Sequence, residues 1–211
     1  MFQKTQNIGY LNLCIQRSKE IYLDWVEQFL DIIEGHIERD KTYSLNDVGC
    51  NLGQFWKGLK RRNLGIDYQG YDIEQIYLDK AQEVFPELKG KTALHDVTQT
   101  KPRESDISVM SAIVEHFADF SPGLDHVLAQ SKKLVIVRTF LGDAEIKIKF
   151  LQKGAEIPYP INQYKFLDVL ELFDQYGFKT KVLRDRATDS MPKLVERGIL
   201  RTQYVVVGYR Y

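Results

Sequence analysis

The sequence has no net charge of either sign. Lys plus Arg and Asp plus Glu each total 29 among the 211 residues, so the formal net charge is zero and the pI is near 6.9. A protein dedicated to nucleic acid or to an anionic membrane surface usually carries a basic excess. The composition therefore argues against both classes, and it leaves open only a local basic patch.

Cysteines and long apolar runs are also scarce. The only cysteines are Cys14 and Cys50, and their spacing fits neither a metal site nor a disulfide framework. No stretch approaches the roughly 20 apolar residues that a membrane-spanning helix needs. The first ten residues, MFQKTQNIGY, lack the apolar run of a secretory signal. We therefore expect a reduced, cytoplasmic setting, with no bound metal and no membrane association.

What the sequence does contain is the composition of an ordinary globular protein. Hydrophobic residues make up 44% of the chain and charged residues 27%. The length suits one α/β domain. We expect a single domain over residues 1–211, with an N-terminal helical segment (1–43) and a core (44–211). Long irregular stretches near 140–164 and 185–201 are typical of functional loops.

The pattern of apolar residues predicts an alternating α/β fold. Apolar positions at three- and four-residue steps predict one amphipathic helix from Ile15 to Ile37. From Ser44 onward short strands alternate with helices, which predicts a mostly parallel sheet with helices on both faces. The run LVIV (134–137) predicts a buried central strand. The last two strands, GFKTKVLR and TQYVVVGYR, are expected to form a long hairpin.

The most informative stretch is DVGCNLG, residues 47–53, at the predicted turn between the first strand and the next helix. Ligands of doubly wound sheets bind at such turns. A dinucleotide fingerprint would need glycines at positions 49, 51 and 54, but residues 51 and 54 are Asn and Gln. A Walker-type phosphate loop would need a Gly-Lys-Ser/Thr sequence, which is absent. The stretch therefore matches neither of these nucleotide loops.

An acid two residues before a glycine, with a second glycine four residues later, resembles the first motif of class I S-adenosylmethionine-dependent methyltransferases. Asn51 replaces a frequent glycine of that motif, and asparagine tolerates a positive φ better than other non-glycine residues. Three later stretches resemble the family in the same order, namely YQGYDIE with Asp72, TALHDV with Asp96, and SDISVMSAIVEHF. The segment NQYKFLDVLELFDQYGFKTKVL resembles its late helix and sixth strand. The resemblance spans about residues 44–183.

This resemblance implies a Rossmann-like doubly wound, mostly parallel sheet of about seven strands, with the last strand antiparallel and an N-terminal helical extension. It also implies S-adenosyl-L-methionine as the cofactor, bound by the core. Asp72 would accept hydrogen bonds from the ribose diol, and Asp96 and the Val97 amide would contact the adenine. The implied cofactor-binding residues are Asp47, Gly49, Cys50, Asn51, Gly53, Asp72, Ile73, Asp96, Val97 and Ser111.

Structural roles are open for some of these residues. Asp47 can cap the turn that follows it, and Asp96 can begin a turn of its own. Cys50 is interpreted as a small packing residue whose backbone meets the ligand. We do not expect a nucleophilic cysteine, because methyl transfer from a sulfonium needs no covalent enzyme intermediate.

The candidate catalytic residues are Glu115 and His116, which follow the fourth strand. A neutral imidazole can accept the proton of an acceptor hydroxyl. The alternative is that both residues only orient the loop and wall the pocket.

Candidates for contact with the acceptor lie further along the chain. Arg138 closes the fifth strand and could hold a carboxylate or phosphate bidentately, or it could pair with an acid such as Asp106 or Glu115. Tyr159 and Tyr164 could line the acceptor pocket or belong to the core. The charge run RDRATD (184–189) is interpreted as a solvated turn.

Three functional hypotheses follow. The first is a small-molecule methyltransferase acting on a sugar, lipid precursor or natural product, with O-methylation favoured. The second is an RNA- or protein-directed methyltransferase, and the third is a non-catalytic cofactor-binding module. The missing glycines disfavour a nicotinamide oxidoreductase. The acceptor atom and the oligomeric state are not encoded in any recognisable motif. A macromolecule-directed enzyme would need a basic surface, for which the candidates are Lys57, Lys60, Arg61 and Arg62, or Lys147, Lys149 and Lys153.

Overall fold

The computed structural model describes residues 8–20, 22–151, 158–195 and 199–211. The helices are α1 (Ile8–Lys19), α2 (Asp24–Glu34), α3 (Gln54–Arg62), α4 (Gln75–Val84), α5 (Ser121–Gln130) and α6 (Phe166–Gln175), with short 3-10 helices at Pro86–Leu88 and Val114–His116. The strands are β1 (Tyr43–Val48), β2 (Ile66–Asp72), β3 (Thr92–Leu94), β4 (Ser105–Ser111), β5 (Ser131–Gly142), β6 (Lys149–Phe150), β7 (Tyr159–Pro160), β8 (Tyr164–Lys165), β9 (Lys179–Arg184), β10 (Lys193–Val195) and β11 (Ile199–Tyr209).

The main sheet is mostly parallel, and its last strand runs antiparallel to its neighbours. Its order is β3-β2-β1-β4-β5-β11, and β9 pairs with the second half of β11. Strands β1 to β5 are parallel, whereas β11 runs antiparallel to both β5 and β9. Two short strands, β8 and β10, extend the sheet at its edges. The predicted doubly wound sheet with an antiparallel last strand is confirmed, and so is the pairing of the last strand with GFKTKVLR.

Hydrophobic side chains fill both faces of this sheet. Helices α2 and α3 pack on one face, with Phe29 and Phe55 in contact there, while α5 and α6 cover the other face. The LVIV run lies at the centre of β5, and all four of its side chains are fully buried. Leu134 and Ile136 face α2 and α3, and the two valines face α5 and α6. This two-sided burial explains why the strand lacks alternating polar residues.

The prediction of one helix from Ile15 to Ile37 is wrong, because the segment forms two helices. The chain is extended at Leu23, where φ is −125° and ψ is 123°, and α2 starts at the next residue. The ammonium of Lys57 donates hydrogen bonds to the carbonyl oxygens of Ser18 (2.9 Å) and Glu20 (2.8 Å). These bonds satisfy carbonyls that have no partner at a helix end, so the helix can stop there.

The apolar stripe runs through both helices, but each helix buries its part of the stripe in a different hydrophobic cluster. Helix α2 packs in the main core. Helix α1 instead contributes Cys14 to a small separate cluster with Leu52 and Tyr77. Periodicity alone does not distinguish one long helix from two helices with separate contacts.

The two stretches expected to be irregular contain short strands. The stretch near 140–164 holds the end of β5, the β6–β7 hairpin and β8, and the stretch near 185–201 holds β10. Residues 152–157 and 196–198 of these stretches lie outside the described residues. Within the described ranges, no helix combines the length and the apolar character required to cross a bilayer.

Candidate active site

A cavity of about 910 Å³ lies at the carboxyl ends of β1, β2 and β4 and is walled on one side by α1 and the start of α2. Its volume is near the upper end of the range for small-molecule sites, roughly 300–1,000 Å³. The described residues contain no group of three or more His, Cys, Asp or Glu side chains suited to a metal ion. Of the residues predicted from sequence, the cavity is lined by Asp47, Gly49, Cys50, Asn51, Asp72, Ile73, Asp96, Val97, Ser111, His116 and Arg138.

The loop after β1 is a tight turn anchored to the end of β2. The amides of Gly49 and Cys50 both donate to the carbonyl oxygen of Tyr71, at 2.7 and 2.9 Å. Gly49 has φ +79°, and a Cβ there would lie 2.2 Å from Cδ1 of Ile113. Asn51 has φ +49°, as predicted, so this substitution preserves the backbone path of the loop. Its side-chain oxygen accepts the Leu52 amide rather than pointing away from the loop.

Asp72 connects this loop to the end of β2. Its two carboxylate oxygens accept the backbone amides of Asn51 (3.0 Å) and Glu74 (3.1 Å). An ionised carboxylate has about four acceptor positions, so these two amides do not exhaust its capacity as an acceptor. The carboxylate is thus oriented at the cavity wall before any ligand binds.

Asp96 begins a turn, and it also presents an unsatisfied acceptor. Its Oδ1 accepts both the amide and the hydroxyl of Thr98, at 3.0 and 2.7 Å. Its Oδ2 is buried and has no hydrogen-bond partner among the described residues. A buried oxygen without a donor is costly, so this atom is an acceptor available to a donor that enters the cavity. The adjacent Val97 carbonyl accepts Nδ1 of His126 at 2.7 Å, which fixes this part of the loop.

Asp47 lies deep in the wall of the cavity. It is 5% exposed, and its Oδ2 accepts the hydroxyl of Tyr68 at 2.7 Å. Burial raises the pKa of Asp47 to about 7, while the Tyr68 hydrogen bond opposes the shift and the charge of Asp72 adds to it. Burial likewise raises the pKa of the Cys50 thiol well above its ordinary value. The raised pKa and the burial of the Cys50 side chain favour the thiol over the reactive thiolate.

The His116 ring is held in one tautomer. Its Nδ1 lies 2.7 Å from the carbonyl oxygen of Pro160, and a carbonyl can only accept, so Nδ1 carries the hydrogen. The lone pair of the neutral ring is consequently on Nε2. The Tyr159 ring packs against the imidazole in an edge arrangement, with centroids 5.5 Å apart.

Arg138 forms a buried bidentate ion pair with an acid that the sequence did not suggest. Its Nε and Nη2 donate to the two carboxylate oxygens of Asp185 at 2.7 and 3.1 Å, and Nη2 also donates to Gln203 at 2.8 Å. Burial acts to raise the pKa of Asp185, but the hydrogen bonds and charge of Arg138 hold that pKa below its ordinary value. The alternative that Arg138 pairs with a nearby acid is thus supported, but the acid is Asp185 rather than the suggested Asp106. Asp106 instead accepts the amide and hydroxyl of Ser44 on β1.

No protein-family model and no curated protein matches this chain in sequence. Solved structures do match it in three dimensions. A TehB-like S-adenosylmethionine-dependent methyltransferase from Corynebacterium glutamicum superposes with a TM-score of 0.60 at 17% identity, over 97% of this chain and 100% of that one. The magnesium protoporphyrin IX methyltransferase of Synechocystis, with S-adenosylmethionine bound, gives 0.55 at 14% identity, over 97% and 81%. DesVI of Streptomyces venezuelae gives 0.61 at 12% identity, over 97% and 99%. The fold is that of the S-adenosylmethionine-dependent methyltransferases.

Within this methyltransferase fold, four of the predicted site residues do not line the cavity, namely Gly53, Glu115, Tyr159 and Tyr164. Gly53 has φ +78° and precedes α3. Tyr164 is 1% exposed, and its hydroxyl donates to the carbonyl oxygen of Phe117 at 2.5 Å. Burial raises the pKa of Tyr164 to about 12. Glu115 is 2% exposed and accepts the Thr139 hydroxyl at 3.0 Å. The burial of Tyr164 and the bond from its hydroxyl to Phe117 support the alternative that Tyr164 belongs to the core.

Other cavity residues were missed because they come from distant parts of the sequence. Arg17 lies on α1 and Gln203 on β11, and both line the cavity. Neither carries a local motif, so only the sheet order could have placed them there. The interpretation of 184–189 as a solvated turn is wrong for Asp185, which is fully buried. Ala112 also lines the cavity and has φ +57°, a strained value typical of functional sites.

The basic run on α3 is engaged by protein groups in this methyltransferase fold. Arg62 pairs with Glu27, Asp31 and Glu34 of α2. Lys57 donates to the carbonyl oxygen of Ser18 on α1. Lys60 pairs with Glu87, and Arg61 pairs with Glu27. In the second candidate surface, Lys147 pairs with Glu145, and Lys153 lies outside the described residues.

Proposed function

We propose that this chain transfers a methyl group from S-adenosylmethionine to a hydroxyl group of a small-molecule acceptor. The observation that carries the proposal is the orphaned Oδ2 of Asp96. This oxygen is buried in the wall of a cavity at the carboxyl edge of the sheet, and the described residues offer it no donor. The exocyclic amine of an adenine is a donor of the required kind.

The remaining cavity residues fit the same cofactor. Asp72 has acceptor capacity for a ribose diol, and the Val97 amide follows Asp96 at the position suited to the adenine ring. Gly49 and Asn51 give the loop its close, left-handed path at the methionine end. The Synechocystis enzyme of the same fold was crystallised with S-adenosylmethionine, which supports this choice of cofactor. The volume of about 910 Å³ leaves room for an acceptor as well.

The choice of a hydroxyl acceptor rests on His116. S-adenosylmethionine, when bound, supplies a methyl group that is already activated on a sulfonium. The chain then has to position the acceptor and remove its proton. The tautomer fixed by Pro160 puts the imidazole lone pair on Nε2, so His116 can serve as a general base towards a hydroxyl. A neutral amine would attack without such a base.

A small molecule is favoured over RNA or a protein because the basic run of α3 is already neutralised by acids and helix carbonyls. The zero net charge supports the same choice. Both cysteines are free thiols, which fits the proposed cytoplasmic setting.

A thermal-unfolding experiment tests cofactor binding. S-adenosylhomocysteine should raise the melting temperature of the wild type, because it binds only the native state. Asp96→Ala and Asp72→Ala should each lose most of this increase, whereas Asp40→Ala, at an exposed position in the loop before β1, should keep it. If neither S-adenosylhomocysteine nor S-adenosylmethionine stabilises the wild type, the proposal is wrong.

Transfer of a labelled methyl group tests the chemistry. His116→Asn should lower kcat by roughly 10²- to 10⁴-fold on a hydroxyl acceptor, the usual contribution of a general base, with cofactor affinity unchanged. His36→Asn is the matched control, because His36 follows the end of α2, bonds the carbonyl oxygen of Ile32 and does not line the cavity. Equal activity of His116→Asn and wild type would exclude the base.

A further inference from the structure

Arg201 is a buried cation for which the described residues provide no hydrogen-bond acceptor. It is 1% exposed, and all three guanidinium nitrogens lack a partner in the described chain. The guanidinium carbon lies 4.8 Å from the centroid of the Phe140 ring. Burial lowers the pKa of Arg201, and the charge of Glu115 opposes that shift. Arginine nevertheless stays protonated in proteins, so this buried charge has N–H donors that an anionic group can use.

The sheet places this guanidinium beside the cavity. Arg201 and Gln203 are two residues apart on β11 and therefore point to the same face of the sheet. Gln203 is directly opposite Phe140 on β5 and lines the cavity together with Arg138. Arg201 itself is not among the residues that line the cavity; it lies two residues along β11 from Gln203, which lines it.

The neighbouring acids are engaged by other donors. Asp185 accepts hydrogen bonds from Nε and Nη2 of Arg138. Glu115 accepts the Thr139 hydroxyl on one oxygen, and its other oxygen lies 3.5 Å from the Gln203 amide nitrogen. Glu115 therefore acts on Arg201 only through its charge, without a hydrogen bond between the two.

We propose that Arg201 binds an anionic oxygen group, a carboxylate or a phosphate, of the methyl acceptor. The acceptor is then a hydroxy acid or a phosphorylated hydroxy compound, and this inference rests on the function proposed above. A guanidinium offers parallel N–H donors that match such a group bidentately. Arg138 was the residue predicted for this role from sequence, but its Nε and Nη2 donate to the carboxylate of Asp185.

The test uses thermal unfolding of the full chain at constant ionic strength with S-adenosylhomocysteine present. Sodium phosphate, sodium acetate and sodium chloride are the three probes. Phosphate or acetate should raise the melting temperature of the wild type above its value in chloride. Arg201→Met should lose this anion-specific increase and keep the increase caused by S-adenosylhomocysteine. Arg184→Met is the control of equal charge change, because the Arg184 side chain is 70% exposed.

A second readout separates binding from a structural role. In chloride alone, Arg201→Met should melt at the same temperature as the wild type or higher, because replacing a buried, unpaired charge by an apolar side chain is neutral or stabilising. A response to phosphate only, or to acetate only, supports the proposal and identifies the group.

Three results would overturn the proposal. They are an absence of any anion-specific shift in the wild type, retention of that shift in Arg201→Met, and a loss of several degrees by Arg201→Met in chloride. A wild type that responds to phosphate or acetate but not to S-adenosylhomocysteine would instead contradict the proposed function and leave the anion site standing.

Discussion

The buried carboxyl of Asp47 should make the protein less stable as pH rises. Its pKa is raised from the ordinary value of 3.8 to about 7 in the folded chain, mainly by burial. The folded state therefore retains a proton that the unfolded state has already released. Stability that is fully present below the unfolded pKa is lost as pH increases through the folded pKa.

The size of the loss follows from the shift. About three pKa units at roughly 1.4 kcal/mol each give about 4 kcal/mol between the fully protonated and fully ionised limits. More than half of this total falls between pH 5 and pH 8. Asp47→Asn keeps the shape of the side chain and does not titrate, so its difference from the wild type isolates this contribution.

Urea unfolding, followed by the fluorescence of Trp25 and Trp56, measures the free energy of unfolding at each pH. The wild type should lose stability relative to Asp47→Asn as pH increases. In Tyr68→Phe the midpoint of this loss should move to higher pH, because the hydrogen bond that lowers the pKa of Asp47 is removed. Parallel pH profiles of wild type and Asp47→Asn would refute the reasoning.

Three further substitutions test other parts of the structure. Asp185→Asn should lower the free energy of unfolding by about 3–5 kcal/mol, because it leaves the Arg138 charge buried and uncompensated; a loss below about 1 kcal/mol in urea unfolding would contradict this. Gly53→Ala should cost about 1–3 kcal/mol, since φ is +78° and the new Cβ would lie 2.6 Å from Leu88; calorimetry can check it. Tyr164→Phe should cost about 1–2 kcal/mol and leave kcat/KM for methyl transfer unchanged, because its hydroxyl bonds a core carbonyl; a large fall in kcat/KM would restore a role in the acceptor pocket.

The parts of the fold that depend on local patterns could be predicted from the sequence. The β1 loop is one example, because a positive φ at residue 51 favours glycine or asparagine and the sequence has Asn51 there. The buried strand at 134–137 is another, since it is apolar on both faces. Asp72 and Asp96 could be located from the family resemblance, and the structure has Asp72 at the last position of β2 and Asp96 two residues after β3, at one edge of the parallel sheet.

Features that depend on pairing between distant segments could not be predicted. The partner of Arg138 is Asp185, 47 residues away in a charged stretch that looks like a surface turn. The position of Arg201 depends on the register of β11 against β5, and a shift of one residue would turn its side chain to the other face. The break before α2 depends on the contact of Lys57 with the end of α1, which no helical periodicity reveals.

Helix α1 has a consequence for the speed of the reaction. It forms one wall of the cavity, yet its buried contacts belong to a small cluster around Cys14 that is separate from both main clusters. Among the described residues this cluster is small, and a wall held in this way opens at a lower free energy than the sheet unfolds. Under the proposed function, we expect spent cofactor to leave past α1 in a local opening step, and substitution of Lys57, which bonds the end of α1, should speed that step. Substitutions that weaken the core of the sheet would change the melting temperature while the rate of product release stays the same.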